Sequence, residues 1–181
     1  MAGEESSFSY VGSFRCKKCH LNEYKSWEAT RMGKSFDILK PGQHKEAKEK
    51  YKIDAAKDFT KDETCLKCHT TGFQKPGGYA MPPTEDEKAM RKAEQLVGVG
   101  CESCHGPGSS YVEAFEEILK SKRKYKAEEL HARGLTKIDE TTCKTCHNKD
   151  GPTFDPATPF DYEKRKRDGV HAIQPLKQRE E

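Results

Sequence analysis

Apolar residues are sparse in this chain, and where they recur they do so at helical spacing. The clearest set has separations of three to five positions and consists of Tyr24, Trp27, Met32 and Phe36. This spacing predicts one buried helical face in that segment. A second helix is predicted over the polar stretch 160–167, and a third ends near His131, because a glycine three residues further on is a typical helix terminator. No apolar run approaches the roughly 18 residues that a membrane-spanning helix needs, so we expect no membrane span.

The composition is unusual for a chain that folds around its own side chains. Of 181 residues, 33% are hydrophobic and 35% are charged. Such low hydrophobicity normally indicates disorder, because too little apolar surface is available to offset chain entropy. The formal net charge of only +3 argues against that interpretation, since disordered chains usually carry a high net charge. We therefore expect a single domain over 1–181 whose core is supplied by something other than side chains.

The cysteines indicate what supplies that core. All eight fall into four copies of the pattern C-x-x-C-H. The cysteines are Cys16 and Cys19, Cys65 and Cys68, Cys101 and Cys104, and Cys143 and Cys146, and the histidines that follow are His20, His69, His105 and His147. This pattern is typical of covalent haem attachment, in which two thiols bond to the porphyrin edge and the adjacent histidine binds iron. The sequence therefore predicts four covalently bound haem c groups, each with its iron.

Two other interpretations of the cysteines are weaker. Structural zinc also uses C-x-x-C pairs, but it needs four ligands per site and does not require a histidine after every second cysteine. A disulfide framework explains an even count of cysteines and leaves the repeated histidine unexplained. The predicted fold is therefore a mainly α multihaem c-type cytochrome. In such a fold, short helices and long irregular loops wrap four packed haems, with little or no sheet. The lysines are interpreted as partners of haem propionates and as a solvated surface, so no nucleic-acid partner is expected.

Counting histidines limits how the four irons can be ligated. Seven histidines less the four in the motifs leave three, so two histidines at every iron is impossible within one chain. His171, between Val170 and Ile173, is expected to face a haem, and His131 is a further candidate ligand. His44 lies among charged residues and is expected to be exposed. Met32 is a candidate sulfur ligand, although core packing explains a methionine there equally well.

Several segments resemble the tetrahaem cytochrome c-554 family, the electron acceptor of hydroxylamine oxidoreductase. The most specific is the block 98–108, GVGCESCHGPG, and the likeness covers most of residues 10–108 and returns near His171. The resemblance implies a periplasmic, mainly helical protein with closely packed haem pairs, and one five-coordinate iron at the second motif. It also implies that a distal histidine of the family falls on Met32, and that His171 matches another. A third has no counterpart between Tyr111 and Phe115, which leaves His131 as its replacement.

The predicted function is electron transfer between redox proteins outside the cytoplasm, by a monomer or weak oligomer. The resemblance suggests a donor of the hydroxylamine oxidoreductase type. Two alternatives stay open: reduction of nitric oxide, nitrite or hydroxylamine at an open haem, and a filament subunit in which His44 binds the next subunit's iron. No catalytic acid or base is identified, so enzymatic activity is at most a side activity. Residues 1–5 lack the features of a secretory leader, and we expect that one was removed before this sequence begins.

Overall fold

The protein is mainly α-helical in the computed structural model, which describes residues 8–82, 85–168, 170–176 and 178–180. Residues 1–5, on which the expectation of a removed leader rests, lie outside these ranges. The described helices are α1 Ser13–Cys16, α2 Leu21–Glu28, a 3-10 helix Asp37–Leu39, α3 Lys45–Lys50, α4 Glu63–His69, α5 Glu87–Glu94, α6 Cys101–His105, α7 Ser109–Ser121, α8 Ala127–His131, α9 Glu140–Lys144 and α10 Tyr162–Asp168.

Helices are short and sheet is almost absent, as predicted. The longest helix of the described residues, α7, has 13 residues. Extended pairing in the same ranges is limited to two isolated bridges, Thr70 with Val97 and Tyr125 with Arg179. In the part of the chain that the structure describes, no helix is long and apolar enough to cross a membrane.

Aspartate side chains begin several of the helices. The carboxylate of Asp62 accepts a hydrogen bond from the backbone N–H of Thr64 at the start of α4, at 2.9 Å. Asp139 accepts one from Thr142 in the same way at the start of α9, at 3.1 Å. Such caps contribute about 0.5–2 kcal/mol each. Both helices carry C-x-x-C-H cysteines, so local capping places the second and fourth motifs.

The predicted single helical face from Tyr24 to Phe36 is wrong. Helix α2 ends at Glu28, and Met32 and Phe36 lie in the turns that follow. The Thr30 hydroxyl donates to the carbonyl of Trp27 at 2.6 Å, which satisfies an acceptor at the helix end and lets the chain turn away. The helix predicted over 160–167 is confirmed as α10, and the helix predicted to end near His131 is confirmed as α8.

Side chains form two small buried clusters. One surrounds the second motif and consists of Leu39, Leu66, Tyr79, Ala93 and Leu96. The other lies between α7 and α8 and consists of Tyr111, Ile118, Tyr125 and Leu130. These nine are the buried hydrophobic residues of the described ranges. So small a side-chain core for 181 residues agrees with the inference that the interior is completed by another apolar body.

Candidate haem-binding sites

Each motif occupies one helical turn. The third motif is the whole of α6, and the second motif forms the end of α4. In the first and fourth motifs the same turn closes at a helix end, where the histidine N–H donates to the carbonyl of the first cysteine, at 3.0 Å for His20 and for His147. Positions three and four apart lie on the same side of a helix. Both thiols and the imidazole of each motif are therefore presented together.

The surroundings of the motifs fit a haem. All eight cysteines, each within the described ranges, are free thiols. In those ranges no group of three or more His, Cys, Asp or Glu residues is placed to hold a metal ion. Phe14 and Leu21, beside the first motif, are 57% and 44% exposed. Exposed apolar residues next to a site are what a porphyrin would cover.

Thiols of different motifs lie next to one another. A hydrogen bond between the Cys16 and Cys101 thiols raises the pKa of Cys16 and lowers the pKa of Cys101 to about 7. A second such bond raises the pKa of Cys68 and lowers that of Cys146 to about 6. These two contacts bring the first motif beside the third and the second beside the fourth.

A third contact joins those two pairs. Burial raises the pKa of the Cys104 thiol to about 11, and the neighbouring Cys143 and Cys146 thiols add to that shift. The third motif therefore also lies beside the fourth. The second motif lies beside the third as well. The His69 carbonyl accepts from the Gly98 N–H at 2.9 Å. The Thr71 hydroxyl accepts from the Gly100 N–H, also at 2.9 Å. The third motif is therefore next to the other three.

Three of the four motif histidines favour the form that binds iron. Burial lowers the pKa of His69, His105 and His147, which favours the neutral imidazole. The His69 Nδ1 atom lies 2.6 Å from the Ser35 carbonyl oxygen. A hydrogen bond donated from Nδ1 leaves the lone pair of Nε2 available to a metal.

His171 is brought to the third motif. Its ring centroid lies 6.3 Å from that of His105, with 36° between the ring planes. Nitrogen–metal distances of about 2.0–2.1 Å on both sides of one ion put two axial imidazole centroids roughly 6 Å apart. The His171 Nδ1 atom is 2.7 Å from the Ala172 carbonyl oxygen, which leaves Nε2 available. The two rings are thus spaced to share one iron.

The other two spare histidines differ. His131 is half-buried, and its Nδ1 atom is 2.7 Å from the Leu135 carbonyl oxygen, so its Nε2 is also available. His44 is exposed and precedes α3 with a left-handed backbone, φ 51°. The expectation that His44 is exposed is correct.

Two aromatic residues outside the predicted set of ligands face motif histidines. The ring centroid of Phe115, on α7, lies 6.1 Å from that of His20, with 20° between the planes. Phe160 stacks directly on His147 at 4.3 Å, too close for an iron to lie between the two rings. Phe115 lies four residues after Tyr111, and this spacing puts both residues on one face of α7. It is a sequence feature that could have pointed to Phe115.

A carboxylate inside the third motif was also missed. Glu102 is 1% exposed and accepts hydrogen bonds from the backbone N–H groups of Val11 at 2.9 Å, Gly12 at 2.7 Å and Gly108 at 2.7 Å. Burial raises the pKa of Glu102, and the three N–H donors oppose that shift. A glutamate between two cysteines carries no sequence signal of this role.

Comparison with known proteins decides the family. The family described as cytochrome c554 and c-prime matches residues 15–106, just over half of the chain and all of its first three motifs. The chain belongs to the cytochrome c-554 family. Members of this family are haem-containing c-type cytochromes of electron transport. The family resemblance seen in the sequence and the predicted multihaem cytochrome fold are therefore confirmed.

Relatives in the cytochrome c-554 family support the assignment. The chain is 39% identical to cytochrome c-554 of Nitrosomonas europaea, over 83% of this chain and 65% of that protein's length. It thus matches slightly less than two thirds of that relative. The solved structure of reduced cytochrome c554 from the same organism covers 88% of this chain and 77% of that one, with 36% identity and a TM-score of 0.68.

Proposed function

We propose that this cytochrome c-554 family member is an extracytoplasmic, periplasmic electron carrier that binds four haem c groups, one at each C-x-x-C-H motif. The observation that carries the proposal is that the third motif is hydrogen-bonded to the segments of two other motifs. The Ser13 hydroxyl, three residues before the first motif, accepts from the Cys101 N–H at 3.0 Å. The Thr71 hydroxyl, two residues after the second motif, accepts from the Gly100 N–H at 2.9 Å. Each haem supplies one-electron storage when bound. The chain's own residues hold these groups in one cluster, which favours internal electron transfer.

The proposed ligands follow from the geometry of each motif. His20, His69, His105 and His147 would each bind the iron of the haem attached to the two preceding cysteines. His171 is proposed as the second ligand at the third motif, where its ring is spaced 6.3 Å from that of His105. His131 and Met32 are the further candidate ligands: His131 because its Nε2 is available, and Met32 because the family resemblance places a distal histidine at its position.

The proposed partners are other redox proteins. Nothing beyond the family likeness points to a hydroxylamine oxidoreductase-like donor, so that donor is part of the proposal. A small-molecule reductase is the second candidate, and the histidine count favours it because the three spare histidines cannot ligate four irons. Sustained consumption of nitric oxide in the presence of an added electron donor separates the two: an electron carrier, even one with an open iron, shows no turnover.

The number of haems is tested by mass. We expect the purified protein to carry four covalent haem adducts, and a Cys143→Ser, Cys146→Ser double variant to carry three. The fourth motif is chosen because it lies outside the region matched to the family. Intact mass spectrometry counts the adducts, and the natural protein is the control. Three adducts or fewer on the natural protein would contradict the proposal.

A further inference from the structure

The ring that faces His20 belongs to a residue that cannot bind iron. Phe115 lies with its centroid 6.1 Å from that of His20, nearly the 6.3 Å that separates His105 from His171. The two pairs therefore have similar spacing, but an imidazole stands opposite His105 and a phenyl stands opposite His20. A phenyl ring has no lone pair to donate to a metal.

Contacts on either side of Phe115 hold α7 against the first motif. The Arg15 guanidinium forms an ion pair with Glu116, the residue after Phe115, at 2.9 Å. One turn earlier, Tyr111 lies near enough to the Cys16 thiol to interact with it electrostatically. Tyr111 and Phe115 share one face of α7 because they are four positions apart. The helix itself thus fixes the phenyl ring opposite His20.

A buried ring also holds Phe115 in place. The Tyr125 ring meets that of Phe115 edge-on, with centroids 5.6 Å apart, and Tyr125 is 2% exposed. Tyr125 belongs to the buried cluster between α7 and α8, and Phe115 packs against that cluster. This contact limits the movement of the phenyl ring.

We propose that the iron at the first motif has no protein ligand on the side facing α7, and that a neutral diatomic molecule such as carbon monoxide binds there, with Phe115 controlling access. This inference rests on the proposed haem at Cys16 and Cys19. It adds an open position to the one that the family resemblance implies at the second motif. The competing ligand is His131, whose Nε2 is available.

The decisive variant is Phe115→His. An imidazole at this position has the spacing from His20 that suits two axial ligands of one iron. We expect the reduced variant to bind one equivalent of carbon monoxide fewer than the natural protein. We also expect the oxidised variant to lose one high-spin haem signal in electron paramagnetic resonance. Glu117→His is the matched control, because Glu117 is exposed and lies two positions after Phe115, on another side of the same helix, and we expect it to change neither quantity.

A second variant keeps the test decisive if Phe115→His does not fold. Phe115→Ala removes the ring and leaves the ligand set unchanged, so carbon monoxide should bind in the same number of equivalents but several-fold faster at one haem. An unchanged carbon monoxide count in Phe115→His overturns the inference, as does an unchanged association rate in Phe115→Ala. Counting the haem adducts distinguishes a failure of this inference from a failure of the proposed function. Four adducts with either unchanged result overturn the inference alone, whereas a natural protein with no haem at the first motif overturns the proposed function.

Discussion

At the scale of single residues, the Glu102 carboxylate joins the third motif to the N-terminal segment. It accepts from Val11, Gly12 and Gly108 at 2.7 to 2.9 Å. We expect Glu102→Ala to lower the free energy of unfolding by about 2–4 kcal/mol, because it leaves three N–H groups without their acceptor. Guanidinium denaturation followed by circular dichroism measures the loss.

The control for Glu102 is an exposed glutamate nearby. Glu113 lies on the exposed side of α7, and Glu113→Ala should change the free energy of unfolding by no more than about 0.5 kcal/mol. Equal stabilities of the two alanine variants would show that the carboxylate of Glu102 does not hold the N-terminal segment.

Met32 carries a residue-scale prediction about ligation. Its carbonyl accepts from the Val99 N–H at 3.1 Å, and the side chain is half-buried. If its sulfur binds iron, Met32→His should lower one midpoint potential, because methionine raises haem potentials relative to histidine. It should also remove a sulfur-to-iron absorption band in the near infrared. A natural protein without that band would show that Met32 serves only packing.

At the scale of elements, the turn that leads into α6 depends on Gly98. Its φ is +79°, and an added Cβ would lie 2.7 Å from the Gly33 carbonyl oxygen. We expect Gly98→Ala to destabilise the protein by about 1–3 kcal/mol, measured as a lower thermal midpoint. Gly42→Ala is the control, because Gly42 has a φ of +72° and nothing near its added Cβ. The larger loss should be at Gly98; equal losses would remove the steric part of this explanation.

Local elements could be predicted where local chemistry decides them. The motifs on helical turns, the helix ending at His131 and the near absence of sheet follow from spacing and from caps such as Asp62. The helical face through Met32 failed because the Thr30 hydroxyl bonds to the Trp27 carbonyl and ends the pattern. The spacing of apolar residues cannot show that a single side-chain hydrogen bond of this kind ends a helix.

At the scale of the whole molecule, the third motif lies next to the other three. We expect a Cys101→Ser, Cys104→Ser variant, which loses the third haem, to slow electron exchange between the first haem and the rest. Removal of the second haem by Cys65→Ser, Cys68→Ser should leave the exchange between the first and third haems unchanged, because the second motif does not lie between them. Pulsed reduction with absorbance detection measures both rates, and equal rates in the two variants would contradict this arrangement.

The neighbours of each motif in space could not be predicted from the sequence. Sequence order places the second motif beside the first, whereas the thiol contacts place the third there. The same applies to Phe115, whose significance arises only from the ring it faces. The haem-attachment chemistry of each motif can be identified from five consecutive residues. Which motifs are neighbours in space depends on the path of the loops that connect them.

The attachments of residues 9–13 have a consequence for the growing chain. Ser9 donates from its N–H to the Ser109 hydroxyl, Ser13 accepts from the Cys101 N–H, and Glu102 holds Val11 and Gly12. These partners lie 88 to 100 positions downstream, and closing so long a loop is entropically unfavourable and slow. Residues 9–13 are therefore synthesised before the residues that bind them, and they become fixed late, after the third motif has formed.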